Sequence, residues 1–186
     1  MTNNDILRRL RYAFDINDLN MITLFNLAGL EVTRAQISDW LKKEDDPAYI
    51  NCKDVELATF LNGFINDKRG KKDGVQPQAE KKLTNNLIFR KLRIALNLKD
   101  DVIIKILSQV GYSLSKHELS AFFRNPEHRQ YRECKDQILR NFLHGLQVTH
   151  RPDTTPKKPI LEQKIAPAKT TPPQKNEKPA FQWKQD

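Results

Sequence analysis

Long apolar runs are missing from this chain, and so are most of the residues on which covalent or metal chemistry is usually built. No stretch approaches the roughly 20 apolar residues that a bilayer-spanning helix needs. The start, Met1-Thr2-Asn3-Asn4-Asp5, lacks the basic and then apolar segments of a secretory signal, so a cytoplasmic protein is expected. Only two cysteines occur in 186 residues, Cys52 and Cys134, with no second Cys or His at ligand spacing. Neither a disulfide framework nor a metal site is expected; two small buried residues are. The four histidines, His117, His128, His144 and His150, all lie in the second half and form no constellation with a nucleophile. Six glycines include no Gly-rich phosphate loop. The expectation is no catalysis, no cofactor and no metal.

What is present is a duplication. Residues 3–63 match residues 85–145 without a gap at 19 identical positions. The identities cluster in Tyr49-x-x-Cys52-Lys53-Asp54, which returns as Tyr131-x-x-Cys134-Lys135-Asp136, and in Phe60-Leu61-x-Gly63, which returns as Phe142-Leu143-x-Gly145. A fixed period of this kind marks two copies of one module rather than one large fold.

Each copy reads as four helices. Ile6, Leu10, Ala13 and Phe14, matched by Ile88, Leu92, Ala95 and Leu96, recur at helical spacing and define a first helix. On its polar side lie Arg8 and Arg11, matched by Arg90 and Arg93; Arg11 and Arg93 are expected to pair with Asp54 and Asp136. A second helix, Asp18 to Ala28 and Asp100 to Val110, stops at Gly29 and Gly111, where a left-handed residue is wanted. Thr33-Arg34-Ala35-Gln36 and Ser115-Lys116-His117-Glu118 fit the capping box and open a third helix with Ile37, Trp40 and Leu41, or Leu119, Phe122 and Phe123, as its buried stripe. A fourth begins at the Cys-Lys-Asp motif and buries Leu57, Phe60, Leu61 and Phe64, or Leu139, Phe142, Leu143 and Leu146. The expected organisation is all-α: a first helical repeat over 1–66, a polar, flexible linker over 67–84 and a second repeat over 85–148. A Pro- and Lys-rich tail over 149–186 is expected to be disordered, since it cannot bury enough apolar surface to order.

With Asn-Asn-x-Ile heading each copy, the duplicated motifs resemble those of the bacterial YehS-like proteins, small tandem-repeat proteins grouped as a domain of unknown function. The resemblance covers residues 3 to about 147. It implies the duplicated helical architecture and supplies no active site.

Charge points to a partner. The net charge is +9, and residues 1–82 balance 13 Lys and Arg against 13 Asp and Glu, whereas residues 83–148 carry 11 against 6 and residues 149–186 carry 8 against 4. The leading functional expectation is a helix-turn-helix-like regulatory protein that binds DNA or RNA, mainly through its second repeat. Arg90, Lys91, Arg93, Lys116, Arg124, Arg129, Arg132 and Arg140 are the expected contacts, assisted by lysines of the tail. For Phe181 and Trp183 near its end, base stacking, a docking motif and a solvated segment without a role all stay open. The fit to a repressor-type motif is loose. Ile37, Trp40 and Leu41 arrive about two residues late after Gly29, and Phe25 and Leu107 stand where closely crossing helices usually want a small residue. The alternative is an adaptor that engages protein, an acidic partner or a partner helix, in a groove between the repeats or at Tyr12, Tyr49 and Tyr131.

Overall fold

Helical periodicity carries through to the structure. The computed structural model describes residues 1–71 and 73–151, and these hold eight helices and no strand. The first repeat contains α1 (Asn3–Ala13), α2 (Asp18–Leu27), α3 (Arg34–Leu41) and α4 (Asp54–Arg69). The second contains α5 (Asn85–Ala95), α6 (Asp100–Gln109), α7 (Lys116–Phe122) and α8 (Asp136–His150). The tail from Pro152 onward, with Phe181 and Trp183, lies outside the described residues.

Local chemistry sets the helix ends. Thr33 Oγ1 accepts from the Gln36 N–H at 3.2 Å, and the Thr33 N–H donates to Gln36 Oε1 at 2.8 Å. Ser115 and Glu118 repeat the exchange at 3.2 and 3.0 Å. Gly29 and Gly111 adopt φ of +82° and +76°, closing α2 and α6 in the left-handed region as their spacing requires.

The repeated motifs are packing and clamping devices. A Cβ on Gly63 would lie 1.7 Å from the Leu24 carbonyl oxygen, and one on Gly145 2.5 Å from that of Ile106. The glycine of Phe-Leu-x-Gly therefore lets α4 and α8 press directly on the backbones of α2 and α6. The second Asn of Asn-Asn-x-Ile is buried in both copies. Asn4 Nδ2 donates to the carbonyls of Trp40 and Ile50, both at 2.8 Å, while its Oδ1 accepts from the Cys52 N–H and the Tyr49 hydroxyl, both at 3.0 Å. Asn86 bonds the carbonyls of Phe122 and Arg132 and the Cys134 N–H at 2.9, 2.8 and 2.9 Å. One amide per repeat thus fixes the end of the third helix and the loop leading to the fourth. The cysteines of the motif are free and buried. Burial first, and nearby carboxylates second, push both thiols up to about 12, which leaves them without thiolate chemistry at neutral pH.

The arginine pairs settle differently from expectation. Arg11 meets Asp18 at 2.7 Å and Arg93 meets Asp100 at 2.8 Å, not Asp54 and Asp136. The reason is helix length: Asp54 lies beside Asn3 at the start of α1, and Arg11 is about 12 Å further along at 1.5 Å per residue. Arg8 and Arg90 each donate to a carbonyl at the end of the third helix of their own repeat, Lys42 and, at 2.7 Å, Phe123.

The two repeats belong to one compact unit. α1 packs against α8, and α4 against α5. Each contact is the image of the other on exchange of the repeats, which makes the junction twofold in kind. Asp54 and Asp136 share in it. Asp54 accepts from Asn3 Nδ2 at 2.8 Å within its repeat and from the Leu83 N–H at 2.9 Å across the junction. Asp136 accepts from Asn85 Nδ2 at 2.7 Å and from the amino group of Met1, the position equivalent to Leu83. Those two sets of hydrogen bonds, that of the amino group first, hold the Asp136 carboxyl below its usual range. The linker is tied rather than free over its second half: Pro77 O accepts from Asn62 Nδ2 at 3.4 Å, Glu80 pairs with Lys91 at 2.9 Å, and Leu83 reaches Asp54.

Candidate nucleic-acid interface

Helix α7 buries Leu119, Ala121 and Phe122, which turns Lys116 and His117 outward. The loop that follows is held from beneath by Asn86 and by bonds from Arg132 N to Ala121 O (3.1 Å) and from Tyr131 N to His128 O (2.8 Å). Backbone polar groups are thus satisfied inside the repeat, and the side chains of Arg129 and Arg132 are left exposed.

The eight candidate cations separate into two groups. Lys116, Arg129, Arg132 and Arg140 are exposed, and Arg124 is half-buried, bonded to Gln130 of the same loop. Lys116 pairs with Asp101 at 2.7 Å, but both side chains are largely in solvent, 69% and 74% exposed, where such a pair is weak and readily exchanged. Arg140 bonds Gln137 one turn away at 3.1 Å. The remaining three are engaged inside the protein. Lys91, only 8% exposed, bonds Asn62 Oδ1 at 2.6 Å and Glu80 at 2.9 Å between α4, the linker and α5. It neutralises a carboxylate at the junction and presents little surface to an outside phosphate. Arg90 bonds the end of α7, and Arg93 pairs with Asp100, with its guanidinium 4.6 Å from the Phe123 ring centroid. Periodicity placed Arg90 and Arg93 on a polar side, and Lys91 entered on its charge alone; only the approach of neighbouring elements decides what each meets.

The first repeat offers no equivalent surface. Its Arg34 and Lys42 pair with Asp18 and Asp39 at 3.0 and 2.8 Å, and its loop carries Glu44, Asp45 and Asp46. Where that loop has Pro47 and Ile50, the second copy has Arg129 and Arg132. The same comparison between copies identifies two exposed cations outside the expected contacts, Lys99 and Lys105, which stand where the first repeat has Asn17 and Thr23. Glu127 and Glu133 dilute the basic loop without cancelling it. Of the tyrosines considered for partner contact, Tyr12 is exposed, whereas Tyr49 and Tyr131 are half-buried. The connection from α2 to α3, residues 28–33, is longer than the 3–4-residue turn of DNA-binding helix pairs.

The family described as Protein of unknown function (DUF1456) matches twice, over residues 3–70 and 85–151. The chain belongs to this family. The two DUF1456 matches coincide with the two four-helix repeats. A protein from Escherichia coli (strain K12), named Uncharacterized protein YehS, is 42% identical over 147 residues, which is 78% of this chain and 94% of that protein. No solved structure matches. Among the described residues of this DUF1456 protein, no helix is long and apolar enough to cross a membrane, and no group of three or more His, Cys, Asp or Glu is placed to hold a metal ion.

Proposed function

We propose that this protein is a nucleic-acid-binding regulator that engages the phosphate backbone of DNA or RNA through α7 and the loop that follows it. The observation that carries the reading is the difference between two loops of the same build. Residues 124–135 expose Arg129, Arg132 and Lys135 and hold Arg124 half-buried, with Lys116 exposed at the start of α7, while residues 42–53 of the first repeat are balanced by acids. Guanidinium groups on a backbone fixed by Asn86 suit phosphate oxygens, which position a protein on nucleic acid without reading its sequence. The lysines of the tail would add to the attraction, and the α6–α7 pair would serve as a loose helix-turn-helix-like platform.

The test is affinity against salt. Fluorescence anisotropy with a labelled duplex and with a single strand is expected to show log Kd rising linearly with log salt. Replacing Arg124, Arg129 and Arg132 together by Ala is expected to lower that slope by about 1 for each phosphate that the variant no longer neutralises. Arg90 and Arg93 are poor choices for such a test, because their removal would loosen α7 and the α5–α6 turn. Binding that ignores salt, or no binding to either nucleic acid, would overturn the proposal.

A second reading, an adaptor that takes a protein partner, is favoured by a pair of repeat-related clefts. One lies over Val32, Gln36 and Trp40, the other over Leu114, Glu118 and Phe122, the same positions in each copy. Capture of a partner that survives nuclease treatment would support it, and retention abolished by nuclease would return the balance to nucleic acid.

A further inference from the structure

A cleft of about 650 Å³ opens where the end of α1, the turn into α2 and the residue after α8 meet. Arg8, Arg11, Tyr12, Asp15, Asn17 and Arg151 line it. All of its lining but Arg151 comes from the first repeat, the half whose overall charge is balanced. Its wall is nevertheless rich in donors.

Arg11 donates Nε to Ile16 O at 3.1 Å and Nη2 to Asp18 at 2.7 Å, which leaves Nη1 without a protein acceptor among the described residues. Arg8 uses Nη1 on Lys42 O and Nη2 on Asp5, leaving Nε without an acceptor among the described residues. Asn17 accepts from the Asn20 N–H through Oδ1 at 2.8 Å as the cap of α2, so only its NH₂ end remains to serve a ligand. Arg151 lies over the Tyr12 ring, 4.7 Å from its centroid, and pairs with Asp15, the single carboxylate among the described residues of the lining. Asp5 and Asp18 stand behind the arginines and orient them. Counting Arg34, which shares Asp18, three guanidiniums meet two carboxylates behind the cleft.

Guanidiniums whose outer edges are already pinned lose little freedom when a ligand arrives, and their planar forks match tetrahedral oxyanions. We propose that this cleft is a binding site for a phosphoryl anion, with Arg8 and Arg11 as the fixed donors and the Tyr12 ring as one wall. The chemistry is shared by a backbone phosphate of nucleic acid and by a small free phosphate. It does not depend on the second repeat binding anything.

The experiment titrates the full chain with sodium pyrophosphate and, separately, with a dT oligonucleotide, following the Nε–Hε resonances of Arg8 and Arg11 by NMR. Salt is kept near 20 mM, where screening is weak. The key variant is Tyr12→Glu. It sets a carboxylate in the cleft at a side chain already 42% exposed and so spares the core. Both arginine signals are expected to move in the native protein, and the variant is expected to bind about tenfold or more weakly through like-charge repulsion, with its thermal midpoint kept. Should Tyr12→Glu unfold, Arg151→Gln serves in its place. A response to pyrophosphate identifies a free phosphate as sufficient; a response to the oligonucleotide alone identifies the nucleic-acid backbone as the source. Silent Arg8 and Arg11 signals with both probes, or a variant that binds as well as the native chain, overturn the site. Replacing Arg124, Arg129 and Arg132 tests the other surface and is expected to leave the pyrophosphate response intact, which keeps the two failures distinguishable.

Discussion

The two asparagines Asn4 and Asn86 show how much of this fold rests on single polar groups. Each is buried, and each satisfies backbone groups from 36 to 48 residues away. Removing such an amide strands donors and acceptors that water cannot reach, and the cost is the desolvation of those groups rather than the modest net value of a hydrogen bond. Asn86→Ala is therefore expected to destabilise the protein by about 2–4 kcal/mol. Asn86→Asp should do no better, since a carboxylate can accept from Cys134 but cannot donate to the carbonyls of Phe122 and Arg132. Urea unfolding checks both; an Asn86→Ala variant as stable as the native chain would show that the amide clamps nothing. The motif was visible in the sequence as a repeated Asn-Asn, but its task was not, because hydrogen-bond partners so distant along the chain leave no local pattern. Lys91 and Arg11 were missed for another reason: Glu80 and Asp18 are near in sequence, but which of several nearby acids a side chain meets depends on how the linker and the turn between helices run.

At the scale of elements, the helices were legible because their signals are local. Capping boxes at Thr33 and Ser115, the stops at Gly29 and Gly111, and the period of Leu57, Phe60, Leu61 and Phe64 each specify a helix from a few neighbouring residues. Crossing distances are not specified that way, and Gly63 carries one. An exposed helical glycine is usually improved by alanine, by up to about 1 kcal/mol, through loss of backbone freedom in the unfolded chain. At Gly63 the added carbon would lie 1.7 Å from the Leu24 oxygen, so α4 must withdraw from α2 and the packing of Phe25 on Phe60, with ring centroids 5.4 Å apart, must open. Gly63→Ala is expected to cost about 3 kcal/mol or more, the range of overpacked cores. Gly145→Ala is expected to cost less, since its clash is at 2.5 Å and partly with the Ile106 side chain, which can turn away. Calorimetric midpoints order the two, and equal or inverted losses would mean that the two crossings are not set by backbone contact.

For the whole molecule the question is whether two copies of a module behave as two domains. Each repeat is close to the size at which a core barely outweighs chain entropy. Here α1 and α8, and α4 and α5, cover faces that either half alone would expose, and Phe14 of the first repeat lies 4.7 Å from the His150 ring of α8. That ring is partly desolvated, and burial, with Lys68 nearby, lowers the His150 pKa. A junction of this kind should couple the halves so that neither unfolds first. The chain carries its own reporters: Trp40 is buried in the first repeat and Cys134 in the second. In a background lacking Trp183 and Cys52, Trp40 fluorescence and Cys134 labelling by a thiol reagent are expected to report one urea transition with a common midpoint. Gly63→Ala, a lesion wholly within the first repeat, should lower both signals together. If the tryptophan transition moves while Cys134 stays protected to its former urea concentration, the repeats are independent, and the shared Asp54 and Asp136 contacts join two domains without making them one folding unit.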